Sequence, residues 1–300
     1  MLSNFFKLND LTKEFNQEQL LEHFNNAHEL RNAIYKPDKL VKANGRIKIK
    51  NINFFNTSFS KTIIENVIFI NCKFEDCLFL GTRFVGCEFH NCVFKEVNPY
   101  KIKFEKTYIN PSYFSSCFQG QDKKEIANIA VNLYQQLLEN SKKEEQAEFA
   151  RISEYQFERW KDYLLWNKFL KGKPYKISLG KFLLKMPMRI LYKYTLGYGL
   201  RLRNLAISFL CVFIIFGYIN HIFWDNYHLE LRDVKSVQFF SDTTHIIANI
   251  FYTFECTTSL IDSQLQPTTN IGMSLLTIQG IVGFIFLSGL VTILINRFVK

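Results

Sequence analysis

From Ile52 to Phe118 the sequence repeats every five residues. Counting each fifth position from Phe54 to Phe114 gives 13 positions, and ten of them are Phe: Phe54, Phe59, Phe69, Phe74, Phe79, Phe84, Phe89, Phe94, Phe104 and Phe114. The other three are Ile64, Pro99 and Ile109. Phe makes up 31 of 300 residues overall, so chance does not produce this register. Two residues before each centre stands a small or β-branched residue, as at Thr57, Val67, Cys72, Cys77, Thr82, Cys87, Cys92 and Thr107. Neither the helical nor the strand period holds a five-residue step on one face. A fixed short repeat is satisfied when successive windings stack like side chains on like, each unit burying its apolar side against the next. Phe54, Phe74, Phe94 and Phe114 would then form one column.

This register resembles the pentapeptide-repeat family over some 70 residues. The resemblance implies a right-handed quadrilateral β-helix, four repeats to a coil, with both repeated positions pointing inward. Pro99 has no N–H for a ladder, so a distorted corner is expected near Asn98-Pro99-Tyr100. Five of the seven cysteines (Cys72, Cys77, Cys87, Cys92, Cys117) fall on the small inward position. Packing explains their spacing better than zinc, whose structural sites favour closer pairs with His support. Such proteins also mimic duplex DNA, which needs a strongly acidic surface. Lys50–Phe118 holds eight Lys or Arg against six Asp or Glu, so mimicry is disfavoured.

The flanks divide the rest. Residues 1–48 read as a polar, helical N-terminal segment, with Leu20, Leu21, Phe24 and His28 on a helical spacing, and 49–120 as the repeat domain. Residues 121–171 read as a helical hairpin broken near Asn140-Ser141-Lys142. Residues 172–203 form a basic interfacial linker helix and 204–300 a two-span membrane domain. Between Tyr163 and Trp224 there is no acidic residue, while ten Lys or Arg occur. Removing those ten from 37 leaves 27 basic against 27 acidic residues, so this strip carries the whole net charge of +10. Positive charge concentrated beside an apolar stretch points to anionic lipid at a cytosolic leaflet and away from nucleic acid. Lys181, Lys185, Arg189, Lys193, Arg201 and Arg203 are the expected lipid-facing cations.

Leu205–Trp224 and Ile271–Ile295 are free of Asp, Glu, Lys and Arg and long enough to span hydrocarbon. Between them His245–Cys256 is apolar but too short to cross, which fits a re-entrant helix. Span, re-entrant helix and span resemble the two-helix pore of the potassium-channel superfamily. Thr257-Thr258 is similar to the end of its pore helix. The resemblance makes Glu255, Thr257, Thr258, Ser259, Leu260, Ile261 and Asp262 the filter candidates, with Asp262 at the outer mouth. The family's filter glycines are replaced by Leu260 and Ile261, which implies weak selectivity among monovalent cations. Gly280, Gly283 and Gly289 suit a hinge or close helix packing. Thr195-Leu196-Gly197-Tyr198-Gly199 spells a filter but precedes the first span, and instead resembles the junction before the first helix in proteins joining such repeats to a pore.

The fold class expected is therefore multidomain: a quadrilateral β-helix, a helical hairpin and an α-helical two-span pore with a re-entrant helix. Function follows as a homotetrameric cation channel of a bacterial inner membrane, potassium channel-like, with both termini cytosolic and a protein partner docking on the repeat domain. A non-conducting membrane-anchored interaction protein and a membrane-damaging effector stay open as alternatives. No catalytic motif, metal site or cofactor is expected; His221, Asp225 and His228 read as solvated loop residues.

Overall fold

A computed structural model describes residues 7–8, 12–43, 45–170, 176–231, 245–258 and 265–298. Two compact units divide the chain, Met1–Met186 and Pro187–Lys300. The first begins with β1 (Lys13–Phe15), α1 (Gln17–Asn26), β2 (Glu29–Tyr35), β3 (Lys39–Leu40) and β4 (Ile47–Lys50). The repeat then supplies β5 (Asn53–Ser58), β6 (Ile63–Glu65), β7 (Val67–Ile70), β8 (Lys73–Glu75), β9 (Arg83–Val85), β10 (Glu88–His90), β11 (Val93–Lys95) and β12 (Lys103–Glu105).

The strands form three separate parallel sheets, in the orders β1-β2-β5-β8-β11, β10-β7-β4 and β12-β9-β6-β3. From Ile47 onward each strand pairs with the one 20 residues later, Phe54 with Phe74 and Phe69 with Phe89. Before that the offset is 24 residues, Leu30 with Phe54 and Leu40 with Ile64. The side chain of Gln17 bonds the backbone of Val41, where the longer first level carries its extra residues.

The expected quadrilateral β-helix is corrected by this topology. No sheet closes on itself, and the side at Ser58, Leu78 and Asn98 has only isolated bridges beyond the end of β5. With seven α-helices among the described residues, the architecture is a mixed α/β one built of open parallel sheets. The backbone gives the reason. Twelve residues at an unbroken five-residue spacing, from Asn51 to Lys106, take the left-handed conformation with φ between 48° and 69°. Each one ends a strand after a few residues, so pairing never propagates far. Asn, Asp and Gly hold eight of these places, the residues that enter that region at least cost. Residues 1–48 also differ from expectation, since they carry one helix and four strands.

The Phe columns do form. Phe74 stacks on Phe54 and on Phe94 at 4.7 Å each, and Phe114 stacks on Phe94 at 4.3 Å. Parallel stacks also join Phe69 to Phe89 and Phe84 to Phe104. The small inward residues work as short donors to the preceding level. Cys77 Sγ bonds the Phe54 carbonyl, Thr82 Oγ1 the Phe59 carbonyl, Cys87 Sγ the Ile64 carbonyl and Thr107 Oγ1 the Phe84 carbonyl, each 23 residues back. Burial pushes the Cys77 thiol up to about 12 and the Cys87 thiol up to about 11. The Pro99 corner is not distorted. Ile102 N–H bonds the Pro99 carbonyl just as Thr82 bonds Phe79 and Thr62 bonds Phe59, and the ladder acceptor 19 residues on would be Phe118, already past the last strand.

Both ends of the Phe column are covered. At the start α1, with its Asn16–Gln19 capping box, lays Leu20 and Phe24 against the first level, Phe24 edge-on to Phe54 at 5.6 Å. At the other end a 3-10 turn, Pro111–Phe114, leads into α2 (Ala127–Lys143) and α3 (Ala147–Leu170), an antiparallel hairpin that turns at 144–146, a few residues later than the sequence suggested. Buried Asn140 of α2 accepts from the Thr107 N–H at 3.1 Å and donates to its carbonyl at 2.7 Å. One amide side chain thus satisfies a backbone edge that has no further strand.

Candidate functional site

The second unit contains α5 (Leu202–Phe223), α6 (His245–Thr258) and α7 (Asn270–Phe298). A short antiparallel pair, β13 (Leu229–Leu231) and β14 (Leu265–Pro267), joins the loops outside them. Two stretches are long and apolar enough to cross a membrane: Leu202–Asn226, mean hydropathy 2.1, and Asn270–Ile295, mean hydropathy 2.3. Only 17% of the first window and 33% of the second is buried, which is unlike the core helix of a water-soluble domain. At 14 residues, or ~21 Å at 1.5 Å per residue, α6 is too short to do the same.

A chain of buried polar side chains fixes α6 between its neighbours. Asn249, Thr253 and Thr257 recur every four residues on α6 and face inward, all three buried. From α5, Asn220 donates to Thr253 Oγ1 at 2.9 Å and to Gln279 Oε1 at 3.2 Å, while Asn249 donates to the Gly217 carbonyl at 3.1 Å. From α7, Gln279 donates to the Thr253 carbonyl and to Thr257 Oγ1, both at 2.8 Å. Tyr227 closes the cluster, donating to Asn220 Oδ1 at 2.9 Å. In hydrocarbon an amide without partners costs several kcal/mol, so these groups hold the helices in one register.

Next to this cluster α7 touches α6 directly. A Cβ at Gly283 would lie 1.9 Å from the Thr257 carbonyl oxygen, so only glycine fits. A Cβ at Gly289 would lie 2.7 Å from Leu196 Cδ2, and Gly289 sits beside a small cluster of Leu205, Phe286 and Ile293. Gly280 is also buried on α7. Of the filter candidates, Thr257 has its hydroxyl committed twice, donating to the Thr253 carbonyl at 2.7 Å and accepting from Gln279. Thr258 donates to the Phe254 carbonyl, and Glu255 is half-buried on a different face of α6 from the polar chain. Ser259, Leu260, Ile261 and Asp262 lie outside the described residues.

The basic strip forms α4 (Leu179–Leu196), continuous through Pro187. Lys181, Lys185, Arg189 and Lys193 follow at intervals of four, a single stripe at ~100° per residue. Leu183, Leu184, Met188, Leu191 and Tyr194 are exposed around the remaining arc. Arg201 and Arg203 are exposed at the start of α5. Between the two helices, Gly197, Tyr198 and Gly199 are all left-handed, with φ of 55°, 61° and 74°. The filter-like spelling is thus a tight turn, with the Arg189 guanidinium 6.0 Å from the buried Tyr198 ring.

Sequence reasoning missed Asn220, Asn249 and Gln279. The available signal was an amide standing inside an apolar stretch, where polar groups are expensive and are kept for a reason. No protein-family profile matches the chain, and no curated protein matches it. The fold and site define the class at one level: a chain with two helices able to span a membrane and a shorter helix bonded between them.

Proposed function

We propose that the second unit is an oligomeric cation channel of a bacterial inner membrane, built from four copies, with the Phe-repeat unit as a cytosolic docking platform for a protein partner. The observation that carries the reading is α6, a helix too short to cross, bonded on one side to α5 and on the other to α7. A short helix leaves backbone groups at its ends inside hydrocarbon unless further copies or water cover them. Its other face exposes Ile246, Ile250 and Phe254 for such copies or for lipid. The C-terminal end of α6 carries the negative end of its dipole toward 259–264, which favours cations there. The charge asymmetry around the spans supports cytosolic termini, and the α4 stripe supports contact with anionic lipid at that leaflet. Kinship with pentapeptide-repeat proteins rests on the sequence register and is part of the same proposal.

Purified protein in planar bilayers tests the channel directly. Cation currents with reversal potentials placing sodium and potassium permeability within about an order of magnitude, as expected without filter glycines, support it. Anion preference or silence in every lipid mixture tried removes it. One observation favours a non-conducting anchor as the second reading: the Thr257 hydroxyl, a filter candidate, is wholly used in holding α6 to α7. Silence with a tetramer intact by cross-linking selects that reading.

A further inference from the structure

Between the end of the repeat and the helical hairpin lies a cleft of about 430 Å³, within the range of roughly 300–1,000 Å³ usual for small-molecule sites. Its far wall is one stripe of α3, since Gln156, Arg159, Trp160 and Tyr163 fall at i, i+3, i+4 and i+7. Phe118 and Lys123 face them from the segment that follows the last strand. Trp160 meets Phe118 edge-to-face at 5.2 Å and Tyr163 at 5.3 Å, so the aromatic wall is rigid. Lys123 places its ammonium 5.8 Å from the Tyr163 ring.

The charge of this lining is one-sided. It holds a guanidinium and an ammonium and no carboxylate. Among the described residues neither Lys123 nor Arg159 takes part in an ion pair, although Arg159 is half-buried. Partly desolvating a guanidinium without a counter-charge is costly, and its planar fork matches carboxylate or phosphate oxygens. The polar remainder, Gln156 and the neighbouring Ser and Gln side chains, can serve hydroxyl or ring-nitrogen groups.

From this we infer that the cleft binds a small planar ring carrying a phosphate or carboxylate, the anion on Arg159 and Lys123 and the ring against Trp160 and Tyr163. This does not depend on the channel reading, because the cleft lies wholly in the first unit. It would give that unit a chemical input beside its docking role.

The test uses the full-length protein in detergent micelles and calorimetric titration with AMP and with 4-hydroxybenzoate, which separate phosphate from carboxylate anchoring. Adenosine supplies a ring without charge and inorganic phosphate a charge without a ring. Saturable binding is expected for at least one ring-bearing anion, weaker by at least ~10-fold for the matching control, the difference one charge-assisted hydrogen bond makes. Arg159→Gln should weaken it by ~10-fold or more with an unchanged Tm, and Lys123→Gln by less. No saturable binding of either anion at millimolar concentration, binding equal to the controls, or binding that both variants leave intact would overturn the inference.

Discussion

Gln279 of α7 donates to the backbone carbonyl of Thr253 on α6 at 2.8 Å, and the same amide nitrogen reaches Thr257 Oγ1 one turn further along. One side chain therefore ties the last span to two successive turns of the short helix. Asn220 reaches both residues of the first of these bonds from α5, so three helices meet at Thr253.

The pair Asn220 and Gln279 should be energetically coupled. Gln279→Leu and Asn220→Leu are each expected to cost on the order of 1–2 kcal/mol in detergent unfolding, with a coupling of about 0.6–1.7 kcal/mol in the double variant. Strict additivity would show that the bonds contribute nothing as a network.

Gly283→Ala places a methyl group against the Thr257 carbonyl, and backbone cannot step aside as a side-chain tip can. A loss of ~1–3 kcal/mol is expected. Gly180→Ala near the start of α4 meets nothing within 4 Å and should be neutral or gain up to ~1 kcal/mol from helix propensity. Thermal scans of both variants side by side decide it; equal behaviour would mean that α7 does not pack on α6 through Gly283.

Phe74 lies in the middle of its column, with a stacked ring above and below. Phe74→Ala should destabilise the first unit by ~3–5 kcal/mol through lost burial and a cavity. An unfolding midpoint matching the parent would refute the stacked core.

The buried thiols give a pH dependence. Cys77 and Cys87 are held neutral in the fold, their values pushed by burial to about 12 and about 11 from the ordinary 9. Their contribution to stability is complete below pH 9 and is lost as pH rises through the folded values. Maleimide at neutral pH should leave Cys72, Cys77, Cys87, Cys92 and Cys117 unmodified until the protein is unfolded, since all five are buried. Modification of any of them at the rate of unfolded protein, read by mass spectrometry, would show that the first unit opens.

The Phe register was legible because every fifth residue has one task and one residue type. The 20-residue pairing and the columns at Phe54 and Phe69 follow from it. The openness of the sheets was written in a different position, the residues before each small inward side chain. There Asn51, Asn56, Asn66, Asn71 and Asn91 adopt the left-handed conformation, but so do Lys61, Glu96, Lys101 and Lys106, whose types give no warning. The first 48 residues hid their strands because β2 pairs at an offset of 24, outside the repeat's register. In the second unit length and hydropathy marked α5, α6 and α7. The polar cluster escaped because uncharged amides leave both hydropathy and charge counts almost unchanged, and their value appears only once Asn220, Thr253 and Gln279 are brought together.

The covering of the Phe column at both ends sets its length. A stack whose every level resembles the next offers no internal reason to stop, and its bare ends would welcome the ends of other molecules. Here Phe24 leans on Phe54 at one end, while Asn140 occupies the backbone of Thr107 at the other. These two terminators keep the protein from growing head-to-tail into filaments. Loss of α1, by proteolysis or truncation, would turn a finite column into a polymerisable one.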